Sequence, residues 1–111
     1  MVKALLSYSF GIVSCFNSTL SGAAAATPPC GFVASNPSTG AYNVDFGFQV
    51  GNRFISVTPT STGICNGNGV CPGLTWFVNV GNSGQRLTQA GVDFVDISYS
   101  RVNATFQMFV Y

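Results

Sequence analysis

Charge is what this chain most lacks. Its 111 residues include four Lys or Arg and three Asp, 6% in all, where a soluble domain ordinarily carries about 25%. There is no Glu and no His. Without imidazole a Ser or Cys nucleophile has no ordinary base, and zinc loses its commonest nitrogen ligand. The cations Lys3, Arg53, Arg86 and Arg101 are scattered, so no basic patch exists to neutralise phosphates and nucleic-acid binding is not expected. The apolar stretch at residues 4–16 is too short to span a membrane as a helix, and no segment has the apolar spacing of a useful helix.

The acids offer no catalytic pair. Asp93 and Asp96 are three apart, which on a strand puts them on opposite faces; they read as solvated or turn-capping carboxylates. Together with nearby carbonyls they supply too few oxygens for calcium. No Cys-x-x-Cys pair is present. We therefore assign no catalytic residue, metal or cofactor, and the chain reads as non-enzymatic.

What is present is apolar and turn-rich. Apolar residues make up 47% of the chain, with ten Phe, four Tyr, one Trp, thirteen Gly and five Pro. Aromatic and β-branched residues favour strands, and dispersed Gly and Pro favour frequent turns. The length suits one domain, residues 1–111. The clearest alternation covers residues 42–50: Tyr42, Val44, Phe46, Phe48 and Val50 on one side, Asn43, Asp45, Gly47 and Gln49 on the other. Phe46 and Phe48 are expected in the core. Gly51-Asn52 predicts a tight reversal into a strand from Arg53, forming a hairpin. Further strands are expected at residues 74–80, with Trp76, Val78 and Val80 on one face, at 92–102 with a bulge near Phe94 or Val95, and at 105–111. Phe32-Val33-Ala34 is a short strand candidate, and residues 85–91 read as irregular. Six to seven strands separated by Gly, Asn, Ser and Pro turns predict an all-β fold, an antiparallel β-sandwich or jelly-roll-like domain.

Residues 1–26 fit two readings. A single Lys, an apolar stretch and the small residues Ser21-Gly22-Ala23-Ala24 resemble a secretory signal peptide. The preferred reading is a strand, because Leu6, Tyr8, Phe10 and Ile12 alternate with Ser7, Ser9 and Gly11. Cleavage near Ala26 would also leave an odd number of cysteines. The four cysteines can form two pairs. The candidates are Cys65–Cys71, which bracket a five-residue Gly-rich loop, and Cys15–Cys30; the rival is free thiols in a reducing compartment. Asn17-Ser18-Thr19 and Asn103-Ala104-Thr105 match the glycosylation sequon at expected turns. Trp76, Phe77 and Tyr99 could form a sugar platform, but core packing is the favoured reading. The loops at 59–73 and 81–91 are the better candidates for recognition.

One segment also carries a likeness. The strand Thr39-Gly40-Ala41-Tyr42-Asn43-Val44-Asp45-Phe46, its hairpin partner and the closing Thr105-Phe106-Gln107-Met108-Phe109-Val110-Tyr111 resemble a β-rich module found at phage tail-fibre ends and in bacterial surface proteins, some collagen-like. The opening Tyr8-Ser9-Phe10-Gly11-Ile12-Val13 and the following Asn17-Ser18-Thr19-Leu20 are similar to that module's first strand and turn. The resemblance implies a structural or receptor-facing domain, often trimeric, and transfers no catalytic residue.

So few charges leave little to keep copies apart. The expectation is a structural assembly subunit, in a virion or outside the cell, that joins copies of itself or other particle subunits. The alternative is a secreted or surface-attached binding module, a lectin-like adhesin facing a host-surface glycan or receptor.

Overall fold

The computed structural model describes residues 2–62, 73–80 and 87–111. It is all-β, with eight strands where six to seven were expected: β1 (Ala4–Tyr8), β2 (Ile12–Asn17), β3 (Val33–Ser38), β4 (Ala41–Asp45), β5 (Ile55–Thr62), β6 (Thr75–Val80), β7 (Gln89–Val95) and β8 (Ala104–Val110). A 3-10 turn spans Gly22–Ala25. Two antiparallel four-stranded sheets, ordered β2-β1-β8-β5 and β3-β4-β7-β6, pack as a β-sandwich.

The extra strand comes from the N-terminus. Residues 4–17 form a hairpin in place of one strand. Leu6 is fully buried, whereas Phe10, which shares its phase, is 99% exposed. Phe10 and Gly11 both take positive φ, 56° and 138°, so the chain turns there. Ser7 pairs with Ser14 and Tyr8 with Ile12, leaving Val13 as an extra residue on β2. β1 lies inside its sheet, between β2 and β8.

The expected hairpin at Gly51-Asn52 is absent, and the strand at 42–50 is shorter than its alternation suggested. β4 stops at Asp45, where Asp45 Oδ1 accepts the Gly47 N–H at 2.9 Å and Gly47 turns with φ 76°. β4 belongs to one sheet and β5 to the other, so the segment between them crosses the sandwich. The alternation still describes burial: Phe46 and Val50 enter the core, with Phe48 half-buried against it. Period two here records which side chains face inward, without a strand partner to make a ladder. At the C-terminal side, the segment expected as one bulged strand, 92–102, is the end of β7 followed by a connection to β8. Part of the expected irregular stretch, from Gln89, is paired strand.

The core fills from both sheets. Leu6, Phe106 and Met108 from one meet Val44, Val92 and Phe94 from the other, and Phe32, Phe46 and Val50 come from connecting segments. Cys15 and Cys30 are joined, Sγ–Sγ 2.03 Å, tying β2 to the segment before β3. Cys65 and Cys71 lie outside the described residues.

Candidate functional site

Two features stand apart from the core: one end of the sandwich and one edge.

At the end, the β1–β2 tip, the β3–β4 turn and the β7–β8 connection converge. The connection is tied to the β3–β4 turn by Asn103, whose Oδ1 accepts from Gly40 N at 2.8 Å and from the Tyr42 hydroxyl at 3.3 Å. The Tyr42 oxygen in turn accepts the Ala104 N–H at 2.9 Å. Gly40 takes φ 76°, and a Cβ there would sit 2.8 Å from the Phe94 carbonyl oxygen, so only glycine allows this close approach. Tyr42 also packs with Tyr8, Phe94 and Phe106, with ring centroids 5.0–5.9 Å away. Burial pushes its phenol pKa up; the Ala104 hydrogen bond opposes that and the neighbouring Tyr8 adds to it. Tyr42 is therefore a neutral hydroxyl that donates and accepts.

Beyond this network the end is aromatic and exposed. Phe10 caps the first hairpin. Tyr99, at φ 62°, is 89% exposed on the β7–β8 connection. The expectation that Tyr99 packs in the core is corrected: the Asp96 turn holds it outward. Asp96 Oδ1 accepts the N–H groups of Ser98 and Ser100 at 2.8 and 3.0 Å.

The acids are all engaged. Asp93 faces Arg101 at 2.7 Å and accepts from Asn79 at 3.3 Å. Asp96 caps its turn and Asp45 caps the Gly47 turn. No group of three or more metal-ligating side chains occurs among the described residues. The chemistry these positions offer is amide, hydroxyl and aromatic.

The edge is β6. It pairs with β7 on one side and ends its sheet on the other. Trp76 and Val78 share the inward face, opposite Phe94 and Val92, yet remain 38% and 37% exposed; Phe77, on the outer face opposite Asp93, is 55% exposed. The expected core packing of Trp76 and Phe77 is thus corrected as well. Adjacent residues on a strand point to opposite faces, so the two do not form one platform. The cause is position: at the end of a sheet, an inward residue has neighbours on one side only.

Comparison with protein-family models, with curated proteins and with solved structures returns no match.

The two sequons differ in geometry. Asn17 is 2% exposed; its Nδ2 donates to the Cys30 carbonyl at 2.9 Å, and its Oδ1 accepts from the Thr19 N–H and hydroxyl. Its amide nitrogen is out of reach of solvent in the folded chain. Asn103 is exposed and, among the described residues, commits only its oxygen. The recognition loops expected at 59–73 and 81–91 fall largely on residues 63–72 and 81–86, outside the described residues. Sequence reasoning missed Phe10, Asn36 and the Tyr42–Asn103 contact. Ser9-Phe10-Gly11 held a turn signal that the alternation concealed. Asn103 meets Tyr42 across 61 residues, and no local pattern reports such a contact.

Proposed function

We propose that this chain is a non-enzymatic structural assembly subunit, of a virion, a tail fibre or an extracellular fibre, and that copies join along β6. The observation that carries the reading is an edge strand with no guarding residue of its own. Natural sheets blunt their edges with Pro, charge or bulges, because an open edge templates pairing with another chain. The other three edge strands have such a device. β2 has the extra Val13, β3 has Pro37 and a register shift, and β5 has Pro59 and a register shift. β6, Thr-Trp-Phe-Val-Asn-Val, has no Pro, no charge and continuous register with β7. Its three exposed apolar side chains are what a strand partner would bury.

A second apolar surface supports the same reading. Across the outer face of the other sheet, Phe16 and Phe109 both lie opposite Leu5, and exposed Phe54 packs on Tyr111 at 6.0 Å beside them. With net charge +1, little repulsion opposes contact. Pairing of β6 with β6 closes a two-fold dimer; β6 against a different edge closes a ring or opens a fibre. The resemblance to tail-fibre modules implies the trimer.

Size-exclusion light scattering on native material, with and without Val78→Lys, tests this. The expected result is an oligomer that the lysine reduces to monomer with the fold intact by circular dichroism. A stable 11.6 kDa species at high concentration overturns self-assembly. An oligomer indifferent to the lysine overturns the β6 contact.

A further inference from the structure

We infer that the cavity at the hairpin end of the sandwich binds one uncharged, ring-shaped polyol, a single hexopyranose unit. Its walls are Tyr8, Phe10, Asn36, Tyr42, Asn103 and Thr105, and its volume is about 170 Å³. Sites for drug-sized ligands run from about 300 Å³ upward, so this one has room for a single ring.

The wall chemistry selects the ring. Three aromatic side chains supply the apolar surface against which the C–H face of a sugar packs. Two amides supply polar groups of opposite kind, and their orientation is settled by their partners. Asn103 Oδ1 must be the oxygen, because Gly40 N–H donates to it; its Nδ2 has no partner among the described residues. Asn36 Nδ2 must be the nitrogen, because it donates to the Ser38 and Ala41 carbonyls at 2.7 and 2.6 Å; its Oδ1 is likewise unpartnered among the described residues. The lining thus offers a held donor and a held acceptor. Neighbouring sugar hydroxyls each donate and accept, and so satisfy both. A purely apolar ring would leave both unpaired. No wall residue is charged, so an acidic sugar or a phosphate finds no counter-charge.

Phe10 points the same way. It is 99% exposed and held at φ 56°, a conformation that bulky residues avoid. Core packing gives no reason for a strained aromatic in water at a turn tip; a ligand stacked on it does. The site lies at the loop end and shares no residue with β6, so it stands or falls separately from self-assembly.

The experiment is 15N-detected NMR titration of the full chain with the methyl glycosides of glucose, galactose, mannose and N-acetylglucosamine, and with N-acetylneuraminic acid as the charged comparator. The expected result is saturable binding of at least one neutral glycoside in the millimolar range, with the Asn103 and Asn36 side-chain amides shifting. Phe10→Asn, which suits positive φ and removes the ring, weakens it about tenfold. Asn103→Asp keeps the oxygen for Gly40 and removes the free donor, and weakens binding while the backbone spectrum stays folded. Absence of saturation with every neutral probe overturns the inference. So does binding indifferent to both variants, N-acetylneuraminic acid binding as tightly as the neutral sugars, or an intact mass showing a glycan already attached at Asn103.

Discussion

Two stretches of this chain look alike as sequence and end up unlike as structure. Residues 42–50 alternate apolar with polar or small residues, and residues 74–80 likewise place Leu74, Trp76, Val78 and Val80 at every second position, with Phe77 between them. In the first, Tyr42, Val44, Phe46 and Val50 are all buried; in the second, Trp76 and Val78, on the inward face, are both exposed. The difference is location. β4 has β3 on one side and β7 on the other, and the segment after it crosses the sandwich end. β6 has β7 alone. Alternation names the face that a side chain takes. Whether that face is covered depends on how many neighbours the strand has.

Five substitutions would break or sharpen that contrast, beginning with the largest effect. Phe46→Ala removes a fully buried ring that meets Phe32 at 5.1 Å and is expected to cost about 3–5 kcal/mol. Urea denaturation of the variant measures it; a loss under about 1 kcal/mol would put Phe46 outside the core. The same change at half-buried Phe48 should cost visibly less.

Tyr42→Phe keeps the ring and deletes the hydroxyl, leaving the buried Ala104 N–H without its acceptor. The expected cost is about 1–3 kcal/mol. It should also alter the alkaline limb of stability. Below about pH 10 the unfolded phenol keeps its proton, so the folded state's tighter hold makes no difference and stability is full. Above that the unfolded phenol ionises first, and stability falls as pH rises through the raised folded value. Thermal melts between neutral and strongly alkaline pH should show a shallower fall in the variant; equal slopes would mean that Tyr42 is not held neutral by burial.

Trp76→Ala tests the opposite case. A buried Trp lost to Ala costs about 3–5 kcal/mol; at the β6 edge we expect less than about 2 kcal/mol in the monomer, by the same denaturation series. A core-sized loss would show that β6 is covered within one chain. The smallest effect is Phe77→Ser, on the outer face, which should change monomer stability by about 0.5 kcal/mol or less while weakening self-association in sedimentation equilibrium. Undiminished association would confine the contact to other residues.

These contrasts also mark where sequence reading stops. Period-two patterning, frequent turns and the lack of any helix-spaced segment were enough for an all-β sandwich or jelly-roll-like fold, because without a helix to cover it an alternating strand buries its apolar face against another sheet. They were enough for the inward positions too: Phe46 and Val50 are core residues although no strand contains them. The hairpin at Gly51-Asn52 failed because the signal is local, while the choice between turning back and crossing to the other sheet depends on where β7 and β8 already lie. Phe10 failed because Gly11 fits an alternating strand as well as it fits a turn.

What the sequence determined by itself, then, is the class of fold, the facing of most apolar side chains and the shortage of charge on whatever surface resulted, since these follow from residue type and spacing alone. The tertiary structure alone decided that β6 is an edge and that Asn103 meets Tyr42 and Gly40 around a cavity. Each of these joins residues about sixty positions apart or depends on the order of strands in a sheet. No local preference encodes such relations; they come from the way the two sheets close over one core.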